Sequence, residues 1–148
     1  ENSGKLVNMV RAKAKKISVE TGIRQIILDG PPGIGCPVIS TITGADKVVI
    51  VTEPTISGLS DMKRAVEIVL KFSLKPRVII NKHDLNSSMT VRIMEWCDLN
   101  GIEVAGVLPF DPKMVESMVQ GKSITEFDPE NQISRELKKI WNNIIKEN

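Results

Sequence analysis

Three short aliphatic runs, recurring at intervals of roughly 25 residues, constrain this chain more than any other feature. They are Gln25–Asp29 (QIILD), Val48–Thr52 (VVIVT) and Arg77–Asn81 (RVIIN). Each is rich in β-branched residues and apolar on both faces. That pattern predicts strands covered by helices on both sides in a parallel sheet, because alternation arises only where one face meets water. A weaker fourth candidate is Glu103–Leu108 (EVAGVL). Each run ends in a polar residue or a turn, the edge at which an open α/β sheet holds its ligands.

Helical periodicity fills the gaps. Leu6, Val10, Ala14 and Ile17 share a face before the first run, and Met62, Val66, Val69 and Leu70 share one after the second. Ile93, Met94 and Cys97 mark a further helix over 88–99. Asp111-Pro112 and Asp128-Pro129 each read as a capping Asp followed by Pro at a helix start. The first would open a helix with Met114, Val115 and Met118. The second would open one with a stripe of Ile133, Leu137, Ile140, Trp141 and Ile144. Alternating strands and helices predict right-handed βαβ units. The expected fold is α/β: a mostly parallel sheet flanked by helices, in one domain or a piece of one.

Composition narrows the function classes. A net charge of +2, with Lys and Arg spread along 148 residues, gives no nucleic-acid footprint. The aromatic residues are Phe72, Trp96, Phe110, Phe127 and Trp141, with no Tyr, so a stacking platform for single strands is not expected. Cys36 and Cys97 form no CxxC pair, which predicts free thiols in a reducing, cytoplasmic setting. No apolar run approaches the ~20 residues of a membrane span, and no secretory leader is expected. The absence of Met at Glu1 reads as the start of a fragment.

Two segments carry candidate chemistry. In Asp29-Gly30-Pro31-Pro32-Gly33-Ile34-Gly35, an apolar run delivers a carboxylate to the sheet edge and glycines follow it. Glycines let backbone N–H groups approach an anion, and Mg2+ takes oxygen ligands, often through water. In Asn81-Lys82-His83-Asp84, the Asn amide both donates and accepts, as the mixed edge of a purine demands. Asp84 can accept from the exocyclic amine of guanine. From the residues alone, each segment reads equally well as a capped turn at a strand end. His83, the sole histidine, has no Ser, Cys or second His suitably placed and is expected to be exposed rather than catalytic. Cys36, near a helix start, reads as packing rather than ligating, and Cys97 as core.

A phosphate-binding loop of the form G-x-x-x-x-G-K-[ST] does not occur. Gly4-Lys5 continues into Leu6. Gly121-Lys122-Ser123 has the right ending, but Glu116 stands where the first glycine belongs.

Four segments together resemble the MinD/Mrp/ParA ATPases: Asp29–Pro37 (DGPPGIGCP), Thr52–Gly58 (TEPTISG), Asn81–Asp84 (NKHD) and Leu108–Pro112 (LPFDP). The branch most similar carries an inserted ferredoxin-like 4Fe-4S domain. The resemblance covers nearly all of residues 1–148 but only about the second half of a family member. It implies the C-terminal part of one P-loop ATPase domain of SIMIBI type. The phosphate loop, first switch and any 4Fe-4S insertion would then precede Glu1. It further implies Asp29 as the Walker B carboxylate behind the Mg2+ hydration shell, and Gly33 as the switch II glycine sensing the γ-phosphate. Asn81 would contact the adenine with Lys82 packed nearby, and Pro109, Phe110 and Asp111 would enclose base and ribose. Residues 53–61 would face partners or a second subunit.

The expected activity of the intact protein is therefore that of an ATP- and Mg2+-dependent switch. It would work as a homodimer coupled to an iron–sulfur centre or a redox partner protein, with the present residues alone inactive. Asp29 and Asn81 are expected on one sheet rim, framing opposite ends of the nucleotide. Two alternatives stand: a GTPase of the same fold, since Asn81–Asp84 also matches the guanine signature, and a non-enzymatic module docking partners through residues 55–61.

Overall fold

A computed structural model describes residues 2–31, 33 and 35–146, with the side chains of residues 2 and 3 excluded. In chain order the elements are α1 (Asn2–Thr21), α2 (Cys36–Ile42), β1 (Val48–Thr52), α3 (Ile56–Lys71) and β2 (Pro76–Asn81). They continue with α4 (Ser87–Leu99), β3 (Glu103–Leu108), α5 (Lys113–Val119), α6 (Ile124–Phe127) and α7 (Gln132–Lys146). The described residues fall into two compact units. One draws on Glu1–Val48 with Arg64–Lys75, the other on Val49–Lys63 with Pro76–Asn148.

The second unit is built on a sheet of order β1-β2-β3, with β2 and β3 parallel. Asn81 pairs with Leu108, Ile80 with Val107 and Ile79 with Gly106, and the register slips between Val78 and Ile79. The αβ order matches the sequence expectation, and the central strand β2 is the run buried from both sides, while β1 leaves Val51 exposed. Val78 and Ile80 are fully buried, and Ile79 on the alternate face is buried as well. Ile79, Leu108, Ile124, Ile133 and Ile140 form one core cluster, with Val49, Leu137 and Ile144 packed on it. Full burial of each such side chain contributes about 1.5–3 kcal/mol. Helix α4 lies against β3 and buries Met89, Thr90, Ile93 and Cys97. Its start is set by Asn86, whose side chain accepts from Met89 N at 3.1 Å.

At Gly106 the sheet and α7 come unusually close. A Cβ there would lie 2.4 Å from Ile140 Cδ1, so the Ile140 side chain occupies the space a larger residue would need.

Several helix details differ from expectation. Asp128-Pro129 does not open α7: Asp128 ends α6, and Asn131 starts α7 by accepting from Ile133 N at 2.7 Å. The short α6 is set by a capping box, Ser123 with Glu126, which the periodicity did not reveal. Met94 and Leu70 face outward rather than joining the buried stripes of α4 and α3, as do Val115 and Met118 on α5.

In the first unit, α1 packs on α2. Arg11 Nη1 donates to the carbonyls of Ser40 and Thr43 and so ties the two helices together. The expected strand over Gln25–Asp29 is absent. That segment is irregular and Ile27 is 75% exposed. A strand exists only by pairing, and no described residue forms a ladder with this one. The same reason leaves Leu6, Val10 and Ile17 exposed on α1, because among the described residues the unit has no sheet of its own for that stripe to cover.

Candidate functional site

At the C-terminal end of the sheet, chain direction brings the ends of β2 and β3 side by side. Asn81 closes β2 and pairs with Leu108, so Pro109 leaves the sheet next to it. After Asn81 the chain turns sharply. Lys82 sits in the left-handed region at φ 54°, a conformation that costs a non-glycine residue about 1 kcal/mol or more. The strain is carried by a dense set of bonds. Lys82 O accepts from Leu85 N at 3.1 Å, His83 N donates to Leu108 O at 3.0 Å, and Thr90 Oγ1 donates to His83 O at 2.6 Å.

The side chains of this turn are not equivalent. Lys82 Nζ forms an ion pair with Glu53 Oε1 at 2.7 Å, linking the ends of β2 and β1. Asp84 Oδ1 accepts from Phe110 N at 2.7 Å. Asn81 is half-buried, and its side-chain amide has no hydrogen-bond partner among the described residues. His83, expected to be exposed, is half-buried, and its backbone is bonded on both sides.

The loop after β3 is fixed from its far end. Asp111 Oδ1 accepts from Lys113 N, and its Oδ2 from Asn131 Nδ2, both at 2.8 Å. The Asn131 amide, and then the Lys113 N–H, hold the Asp111 carboxyl below the usual carboxylate range. Lys113 Nζ bonds Asp128 Oδ2 at 2.6 Å, which pushes the lysine up and the Asp128 carboxyl down. The sign follows from linkage. A carboxyl with a lower folded pKa adds stability that is complete above its unfolded pKa, about 4, and is lost as pH falls through the folded value. Acid unfolding followed by circular dichroism should therefore begin at higher pH in wild type than in an Asp111→Asn, Asp128→Asn double variant normalised to its own neutral stability. Coincident acid profiles would refute this.

Thus Asn81, Lys82, Pro109 and Asp111 are brought together in one unit. Asp29 and Gly33 belong to the other. Asp29 is exposed at the head of its loop. Gly30 packs on α2, where a Cβ would come within 3.3 Å of Thr41 Cγ2, and Gly33 has φ +98°, open to glycine at little cost. Pro32 and Ile34 of that motif lie outside the described residues, as does Glu1. Cys36 is the exposed first residue of α2, so it does not serve as packing. Cys97 is core as expected, and burial pushes its thiol up. Gly121-Lys122-Ser123 ends α5 with Gly121 at φ 65° and caps α6 with Ser123, so no phosphate loop exists there.

Three contacts escaped the sequence reading: the Glu53–Lys82 ion pair, the Phe110 N–H bond to Asp84 and the Asn131 bond to Asp111. A backbone donor leaves no trace in a sequence. Glu53 and Asn131 matter only through residues 29 and 20 positions away, namely Lys82 and Asp111.

Comparison with known proteins agrees with this architecture. Residues 8–145 match the ParA family model described as NUBPL iron-transfer P-loop NTPase. An uncharacterized protein of Methanocaldococcus jannaschii is 38% identical over 85 residues, which is 57% of this chain and 29% of that protein. The septum site-determining protein MinD of Bacillus subtilis is 28% identical, over 82% of this chain and 47% of its own length. An iron-sulfur cluster carrier protein of Aquifex aeolicus is 24% identical over 74% of this chain and 34% of its own. Among solved structures, the MinD cell division protein of Aquifex aeolicus superposes with a TM-score of 0.77 at 22% identity, covering 96% of this chain and 61% of that one. MinD of Pyrococcus horikoshii in complex with Mg-ADP gives 0.63 at 25% identity, over 80% and 49%. The chain thus spans less than half the length of these curated relatives. No described helix is long and apolar enough to cross a membrane. With its fold that of MinD and the family model satisfied over residues 8–145, the chain belongs to the ParA family of P-loop NTPases.

Proposed function

We propose that this chain is the base-reading and Walker B portion of a Mg2+-dependent ATPase switch, the phosphate loop being supplied by sequence outside Glu1–Asn148. The observation that carries the reading is the state of the β2 turn. Lys82 and Asp84 are engaged by protein partners, whereas the Asn81 amide remains available beside the Pro109–Asp111 loop. One donor and one acceptor on a single amide fit the N6–N7 edge of adenine. Pro109 and Asp111 would shape the wall that closes on the base. In the other unit, the exposed Asp29 would hold water molecules of the Mg2+ shell, and Gly33 would offer a backbone N–H to the γ-phosphate. Bound Mg2+ supplies charge neutralisation at the transferring phosphoryl oxygens, and the protein supplies position.

The family's description as iron-transfer NTPases supports a switch that cycles with iron–sulfur handling through a partner protein. A homodimer, a cytoplasmic setting and a 4Fe-4S cluster carried upstream belong to the same proposal. The test is nucleotide binding by the protein carrying its phosphate loop, measured by calorimetry with Mg-ATP and Mg-GTP. ATP should bind in preference, and Asn81→Ala should weaken it about tenfold, the loss of one well-placed polar contact. Residues 1–148 alone should bind Mg-ATP weakly or not at all. Preference for GTP would favour a GTPase of the same fold, and binding of neither would favour an interaction module presenting residues 55–61.

A further inference from the structure

The four residues Asn81–Asp84 are spelled as a guanine-reading signature, yet the structure gives the last of them a different task. Reading guanine requires a carboxylate that turns toward the base and presents its oxygens to the ring N–H and the exocyclic amine. Asp84 instead directs Oδ1 at the backbone N–H of Phe110, 26 residues away, at 2.7 Å.

The reason lies in how the β2–β3 ladder ends. His83 N donates to Leu108 O at 3.0 Å, and this is the last backbone bond between the two segments among the described residues. Pro109 has no N–H, so the ladder cannot continue through it. Phe110 carries the next donor, and among the described residues β3 ends the sheet with no further strand beyond it to accept. The Asp84 carboxylate therefore takes the place of the missing carbonyl and extends the pairing past the proline.

Asp84 is itself held in place. Its turn is closed by Leu85 N to Lys82 O, and its neighbour His83 is gripped by Thr90 Oγ1. Asn86, two positions on, caps α4. On the far side of Phe110, Asp111 is bonded to Lys113 N and Asn131 Nδ2. The loop is thus pinned at two successive residues, one from the β2 turn and one from the start of α7.

We infer that Asp84 is a positioning residue that clamps the Phe110 loop and, by committing one carboxylate oxygen there, sets the site for adenine over guanine, whose recognition needs both oxygens turned to the base. The specificity half of this inference rests on the nucleotide reading above; the clamp half does not.

Two measurements separate them. Amide hydrogen exchange at Phe110, without nucleotide, reports the clamp alone, and ATP and GTP affinities of the same proteins report specificity. Asp84→Ala should speed Phe110 exchange by about tenfold or more and weaken ATP binding about five- to tenfold, with no gain for GTP. Asp84→Asn keeps an acceptor oxygen and should rescue both to within about threefold of wild type. Unchanged Phe110 exchange in Asp84→Ala would overturn the clamp, as would wild-type exchange at the unprotected peptide rate, which needs no variant to fold. Loss of GTP binding with ATP binding intact in Asp84→Ala would show that the carboxylate reads the base after all. Failure of wild type to bind either nucleotide would remove the nucleotide reading and the specificity half with it, while the exchange data still decide the clamp.

Discussion

Asp29→Asn should reduce Mg2+-dependent ATP hydrolysis by about a hundredfold, roughly 2.7 kcal/mol of barrier, in the protein carrying its phosphate loop. In the proposed site the carboxylate orders the hydration shell of a divalent ion through charge-assisted acceptance of water protons. An amide of the same shape retains one acceptor but loses the charge that holds the ion against competing water. ATP affinity without Mg2+ should change little, since Asp29 is not assigned any contact with the base. Thermal melting should stay within about 1 °C of wild type, because Asp29 is exposed and surface substitutions of this kind sit near neutral. Steady-state phosphate release at saturating Mg-ATP is the check. Turnover within threefold of wild type would remove Asp29 from the proposed metal site.

Gly58→Ala should cost about 2 kcal/mol of stability, a fall in Tm of about 4–8 °C. A Cβ at Gly58 would lie 2.3 Å from the carbonyl oxygen of Glu53 and 3.0 Å from Oγ1 of both Thr52 and Thr55. The nearest of these atoms is backbone, so no rotamer change relieves the overlap; the first turn of α3 or the Glu53 peptide must move. Moving the helix disturbs the cap in which Thr55 Oγ1 accepts from Gly58 N at 2.9 Å, worth about 1 kcal/mol. Overpacking adds about 1–3 kcal/mol, and the better helix propensity of Ala returns about 1 kcal/mol. Moving the peptide displaces Glu53 and its ion pair with Lys82, so nucleotide binding should weaken with stability. Ser60→Ala, exposed in the same helical turn, is the control and should melt within about 1 °C of wild type. A Gly58→Ala protein that melts with the control would mean that α3 and β1 are less closely joined than the geometry requires.

The parts of this molecule legible in its sequence are those whose pattern is dictated by burial. Val48–Thr52 and Glu103–Leu108 are bounded to the residue by their aliphatic, β-branched runs and Arg77–Asn81 to within one, and only the last, central strand is buried on both faces. The failure at Gln25–Asp29 has the opposite cause. Its composition is equally strand-like, but pairing is a property of a neighbour, and none is formed by the described residues. Asp128-Pro129 misled for a similar reason: an Asp-Pro pair signals a helix boundary without saying on which side the helix lies, and here it ends one. The candidate site shows the same division. The Pro109–Asp111 loop entered only through the family resemblance, whereas the place of Asn81 at a strand end was readable because an aliphatic run closes on it. The commitment of Asp84 to a backbone N–H was not, since a carboxylate looks the same in sequence whether it faces a ligand or a peptide.

The close approach at Gly106 makes the C-terminal helix an indexed part rather than a sliding one. Ile140 enters the only step on β3 that lacks a side chain, with Ala105 and Val107 on either side. Displacing the helix by one turn would bring Leu137 or Ile144 to that notch, each with a different branch point, so the axial position of α7 is set like a key in a ward. Because Asn131 at the head of the same helix grips Asp111, the notch on β3 also determines where the loop beside Asn81 stands.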